Sequence, residues 1–325
     1  MVRSRVDSQQ ESFFFMQESQ LGANVHPPFQ PKDLFRLAAN GIYIGTSSWK
    51  YRGWEGMIYK GGYSSEAQFQ RQSLREYSSY FPCVGVDFTF YTWPNVDMMN
   101  YLVDATPEHF RMFPKVTKRI TMKRFPNISI YGKWAGQENP DFLNYDLFCS
   151  HFLEPIKVLG SRVGAFFFEF TDLCWDDIGR IEKFFSQLPR QHSYGIEIRD
   201  KELVHSKFYQ SLIHLDVMPI FNSWTHMPYI SKQWEEYVKA GGAKSTQAIS
   251  VRGLLRPGRS YEEAVHKFQP YKKIQDPNSE FRRDLIDILQ VAERDNRKAF
   301  VLINNRLEGC APETIGAILQ DTSFF

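Results

Sequence analysis

Beyond Gly41 the sequence repeats one unit: a run of about five apolar or β-branched residues, then a longer stretch with helical periodicity. The runs are Ile42–Thr46, Gly85–Phe90, Phe110–Lys115, Val163–Phe170, Tyr194–Arg199, Val217–Asn222, Ala248–Arg252 and Ala299–Asn304. Several are apolar on both faces, which suits parallel strands covered by helices rather than a sheet with one face in water. Between them, helical patterns are expected at Ala67–Tyr80, Leu143–Leu159, Asp176–Leu188, Glu202–Leu215, Tyr261–Phe268, Asn278–Glu293 and Pro312–Leu319. Eight strand-like runs with helical patterns between most of them predict an α/β fold, a TIM-barrel-like (β/α)8 closed parallel barrel. An open doubly wound sheet is the competing architecture, because periodicity does not report closure.

Length and composition fit this reading. About 250 residues is typical of one such barrel, and the chain has 325, of which 42% are hydrophobic. Residues 41–325 are therefore expected to form one barrel domain. Residues 1–40, rich in glutamine and serine and carrying Pro27-Pro28, read as an N-terminal arm of weak periodicity. The net charge of +2 sets up no global field for nucleic acid or anionic membranes. No apolar run approaches the roughly 18 residues of a membrane span. Phe13-Phe14-Phe15-Met16 falls short of the roughly 7–15 residues of a signal-peptide core. Cys83, Cys149, Cys174 and Cys310 form no C-x-x-C pair, so a reducing, cytoplasmic location is expected and a zinc or disulfide framework is not.

Polar residues collect at the ends of the apolar runs. The first leads into Trp49, the second contains Asp87, the third ends at Lys115 and the fourth carries Glu169. The fifth ends with Glu197 and Arg199, the sixth with Asn222, the seventh with Arg252, and the eighth with Asn304-Asn305-Arg306. Buried alone, such groups are costly, and the carboxyl ends of barrel strands are where α/β barrels build their sites. Glu197 and Arg199, two residues apart on a strand, leave the same face. Together they can hold an anion or form a structural salt bridge. Glu169, expected near Glu197, is the better candidate acid, with Arg199 keeping Glu197 ionised.

The loop after the first run, with Trp49, Tyr51, Trp54 and Tyr59, can be a stacking wall for a sugar or base, or a packed lid. Lys115, Lys118, Arg119, Lys123 and Arg124 form a basic cluster that can touch phosphates or lie solvated. Gly241–Thr246 lacks the Gly before Lys of a phosphate loop, and the scattered histidines disfavour a histidine-rich metal site. No cofactor is expected, with an all-oxygen divalent-cation site left open.

Ile44-Gly45-Thr46-Ser47-Ser48-Trp49, with Tyr51, Trp54, Gly56 and Tyr59, resembles the opening of the domain-of-unknown-function 72, or YecE-like, family. The resemblance continues through Val86–Pro94, Lys115–Thr121, Glu197-Ile198-Arg199 and Asn304–Pro312, and covers roughly residues 41–320. It implies a TIM-barrel-like fold and no established reaction. Its members commonly carry histidine where Met122, Gly253 and Arg306 stand, and Glu169 and Thr171 replace glutamine and proline. That points to a divergent branch with a more anion-loving mouth or lost activity.

Three functions follow. An enzyme would take a phosphorylated or sugar-like small molecule, with Glu169 or Glu197 moving protons. Arg199, Arg252, Lys115 and Arg306 would hold an anion, and Asn222, Asn304 and Asn305 would orient hydroxyls. A nucleic-acid-binding or processing protein would use the aromatic loop and Lys118–Arg124, by analogy with endonuclease-IV-like barrels. A non-catalytic binding scaffold is the third.

Overall fold

The computed structural model describes residues 25–321. Eight strands are present: β1 Ile42–Thr46, β2 Cys83–Val86, β3 Arg111–Pro114, β4 Phe166–Phe170, β5 Tyr194–Ile198, β6 Met218–Ser223, β7 Ile249–Gly253 and β8 Ala299–Ile303. All ladders are parallel, in the order β3-β2-β1-β8-β7-β6-β5-β4. Between β3 and β4 two isolated parallel bridges, Met112 with Val163 and Lys115 with Phe167, join the ends of the row. The wall is a nearly closed (β/α)8 barrel, with a thin seam between β3 and β4.

Strand alternation splits each run between two environments. In β4, Phe166 and Phe168 face the helices, where both rings meet Phe148. Phe167 points inward to Phe113, which in turn meets Phe300. Cys83, Phe113, Ala165, Phe167, Met218, Ile220, Phe300 and Leu302 form a separate apolar cluster inside the barrel. Two residues further along the same inward face come Lys115 after Phe113, Glu169 after Phe167, Asn222 after Ile220 and Arg252 after Ser250. The barrel thus has an apolar floor and a polar ceiling, drawn from one alternating pattern.

The boundaries depart from the sequence reading where local hydrogen bonds compete with the ladder. β2 stops at Val86, and Asp87–Phe90 is a 3-10 turn. The Thr89 hydroxyl, placed 2.8 Å from the Val86 carbonyl and 2.7 Å from that of Lys115, ties this turn to the neighbouring strand. Helices Val96–Asp104 and Ile230–Lys239 fill connections where no helix was expected. The first buries Met99 and Leu102, the second Ile230, Gln233 and Tyr237.

Of the expected N-terminal arm, residues 1–24 lie outside the described residues. Pro31–Ala39 is a helix, opened by Pro31 and burying Leu34, Phe35 and Leu37. Its nine residues are too short to give a clear repeat. Among the described residues, no helix is long and apolar enough to cross a membrane.

β1 passes close to β2, and Gly45 is the reason it can: a Cβ there would lie 2.2 Å from the Cys83 carbonyl oxygen. Gly45→Ala is therefore expected to strain the β1–β2 ladder and cost about 1–3 kcal/mol. Urea denaturation checks this, and an unchanged midpoint would show that the wall yields without cost.

Candidate functional site

The register sets the centre of the site. Glu169 and Glu197 are paired partners in the β4–β5 ladder. Asn222 and Arg252 are partners in β6–β7. Two carboxylates brought side by side in an apolar tube need cations, and the inward faces of neighbouring strands supply them.

Arg252 Nη1 donates to Glu197 Oε2 and, at 3.0 Å, to Glu169 Oε2, while Nη2 reaches Asp87 at 3.4 Å. Arg199 Nη2 donates to Glu169 at 2.7 Å. It also lies 2.8 Å from Glu197 Oε1, a contact too bent for a hydrogen bond. Lys115 Nζ is 2.8 Å from Glu169 and sits 3.8 Å from the centre of the Phe90 ring. Trp224 stacks against the Arg199 guanidinium at 4.0 Å. Glu197 is fully buried and Glu169 is 8% exposed.

This arrangement determines the charge state of Glu169. Burial alone would push its carboxyl up, but Arg199, Lys115 and Arg252 outweigh burial and hold it well below the usual carboxylate range. A carboxyl so held is ionised near neutral pH, which weighs against the expected role of Glu169 as a proton donor. Burial likewise opposes the charge on Arg252, yet Glu197, Asp87 and Glu169 together raise its pKa.

A second, more open layer lies above. Arg306 places its guanidinium 4.5 Å from the Tyr261 ring and, among the described residues, makes no ion pair. Burial pushes the Tyr51 hydroxyl up to about 12, with Arg306 opposing and Asp87, Tyr271 and Tyr261 adding to the rise. The Tyr91 hydroxyl is raised, first by burial and then by Asp87, Glu169 and Tyr261, with Arg306 opposing. Tyr91 and Tyr261 are exposed, and Arg306 stacks on the second of them.

Several donors in this region lack a protein acceptor: Nε and Nη1 of Arg199, Nε of Arg252, Nε of Arg306 and Nδ2 of Asn305. Buried N–H groups are nearly always paired.

Other expected site residues serve the scaffold. Trp49 and Trp54 are buried, with Trp54 stacked near Tyr59, so of the two readings of that loop the packed lid describes them and the stacking wall does not. Tyr51 packs edge-on against Tyr271. The Asn222 amide donates to the Ile198 carbonyl at 3.0 Å, and its backbone is gripped by Gln233. Asn304 Oδ1 accepts from the Arg306 backbone and Asn305 Oδ1 from that of Ala311, so these amides shape the turn after β8. The basic cluster is largely neutralised: Arg119 pairs with Asp141, Lys123 with Asp177 and Arg124 with Glu138. Gly253 is packed so closely that a Cβ would lie 2.7 Å from Phe281, leaving no room for a histidine. Among the described residues no three His, Cys, Asp or Glu side chains gather to hold a metal ion.

Sequence reasoning missed Phe90, Trp224, Tyr261 and Gln233. Trp224 follows directly on the polar end of β6, which was a usable signal; Tyr261 opens a helix far along the chain and offered none.

The sequence matches the family described as "Protein of unknown function DUF72" over residues 43–323. The chain belongs to the DUF72 family. Solved DUF72 structures share its fold. A protein from Enterococcus faecalis is 18% identical, with a TM-score of 0.58 over 86% of this chain and 95% of its own. Another from Thermotoga maritima is 16% identical, with a TM-score of 0.57 over 86% and 96%. Comparison with curated proteins gives no significant match. At these identities the likeness concerns architecture alone, and the chemistry of this DUF72 chain rests on its own residues.

Removing the shared carboxylate leaves Lys115, Arg199 and Arg252 short of a partner. Glu169→Gln is expected to lower stability by about 3–5 kcal/mol at neutral pH. Because the folded-state pKa of Glu169 is depressed, its contribution is complete above the unfolded value of about 4.3 and is lost as pH falls through the folded value. Denaturation midpoints from neutral to acid pH should therefore decline less in the variant than in the parent; parallel declines would contradict the assigned charge state.

Proposed function

We propose that this DUF72 barrel binds a small oxyanion-bearing molecule of the sugar-phosphate kind at the carboxyl ends of its strands. The observation that carries the reading is the pairing pattern of the mouth. Lys115, Arg199 and Arg252 share Glu169, Glu197 and Asp87, while Arg306 has no carboxylate partner among the described residues. Arg306 lies over the exposed Tyr261, a ring that can receive a sugar. The unpaired N–H groups of Arg199 and Arg252 call for acceptor oxygens, which phosphate and hydroxyl groups supply.

The inner carboxylates belong to the frame that holds Arg199 and Arg252 in place. A carboxylate gripped by three cations is a poor base and no acid, so the reading is one of recognition, with proton transfer by Glu169 disfavoured. Nucleic-acid binding has less support: the Arg119, Lys123 and Arg124 charges are paired, and Trp49 and Trp54 offer no free face.

Thermal shift tests this with glucose 6-phosphate, inorganic phosphate, glucose and a short oligonucleotide as probes. A ligand at a hundred times its Kd adds about 2.7 kcal/mol of stability. The sugar phosphate is expected to raise Tm more than glucose or phosphate alone, and Arg306→Ala to abolish most of the response while leaving the ligand-free Tm near the parent value. A full response in Arg306→Ala would remove the anion site. A larger response to the oligonucleotide that collapses with added salt would favour the nucleic-acid reading.

A further inference from the structure

The opposite end of the barrel holds a cavity with its own charge. It has a volume of about 520 Å3 and lies at the amino ends of β3, β4, β5 and β8, where Arg111, Gly164, Ser193 and Lys298 stand. That size falls within the range of small-molecule pockets. It forms beside the seam, where β3 and β4 share only isolated bridges and Val163 and Gly164 line the wall.

Its lining carries Arg111, Lys157, Lys298 and His192, and no aspartate or glutamate. Arg111 spends Nη1 on the backbone carbonyls of Glu108 and Phe110, at 3.1 and 3.3 Å, and makes no ion pair among the described residues. Lys298 makes no ion pair among the described residues, while Lys157 pairs with the exposed Glu154. The carboxylates of the mouth lie beyond the Phe113, Phe167 and Phe300 layer and are engaged with their own cations. Burial lowers the His192 pKa and Lys157 lowers it further. Apolar surface adjoins the charge, because Tyr43 and Phe300, 5.8 Å apart, line the same cavity.

We infer that this amino-terminal cavity is a second binding site, for a small organic oxyanion whose charged head lies between Arg111, Lys298 and His192 and whose apolar body rests on Tyr43 and Phe300. The mouth of the barrel takes no part in it, so the two sites stand or fall separately. A ligand here sits on the face where barrels do not build catalytic loops, and it bridges the ends of β3 and β4 across the seam.

The probes are inorganic phosphate and phenyl phosphate, and the readout is the His192 titration by NMR on the full chain. A bound anion favours the imidazolium form, so both probes are expected to raise the His192 pKa, with phenyl phosphate acting at several-fold lower concentration. Lys298 is exposed, so Lys298→Glu is compatible with folding, which an unchanged Tm confirms; it should abolish the shift, and Lys298→Gln should weaken it. Arg306→Ala should leave it intact, which separates this site from the one at the mouth. A His192 titration indifferent to both probes, or an undiminished response in Lys298→Glu, would overturn the inference.

Discussion

Two carboxylates, Glu169 and Glu197, stand side by side at the top of an otherwise apolar tube, and the upper half of the barrel is organised around pairing them with cations. Desolvating each ion costs several kcal/mol. A carboxylate–guanidinium contact near 4 Å returns about 4 kcal/mol at an effective dielectric of 20. No single pair clears that cost comfortably. Five side chains from β3, β4, β5 and β7 do so together, because each carboxylate meets more than one cation.

That interlocking has consequences for chemistry and for shape. A carboxyl shared among three cations is held ionised, which removes it as a proton donor and makes it a fixed anchor for the guanidiniums. Stacking of Arg199 on Trp224 and of Lys115 on Phe90 restricts the same cations from the other side. Among the described residues, positive groups without a carboxylate partner include Arg306 at the carboxyl end and Arg111 with Lys298 at the amino end. Between them lies the layer of Phe113, Phe167 and Phe300, so the two ends do not neutralise each other.

Much of the architecture was legible in the chain. The β1 run, Ile42–Thr46, and the helix Tyr261–Phe268 were read from the sequence with the bounds the structure shows. The shared inward face of Glu197 and Arg199 followed from their spacing of two. Less legible were positions where a tertiary hydrogen bond overrules local pattern. Asp87–Phe90 has strand-like residues yet turns, since Thr89 finds the Lys115 carbonyl across the barrel wall. Asn222, Asn304 and Asn305 look like ligand-facing amides, but each spends hydrogen-bonding capacity on nearby backbone.

By itself the sequence determined the alternation, the apolar floor and polar ceiling of the barrel, and the residue types at each strand end. These depend on spacing of two along a strand, which is a local property. Which charges meet was decided only by the closed register, since Arg252 and Asp87 stand 165 positions apart and touch because the barrel brings β7 round to β2. The protonation of Glu169 belongs to that second category. A carboxyl's charge is a balance of burial against nearby cations, and neither quantity exists until the strands are in place.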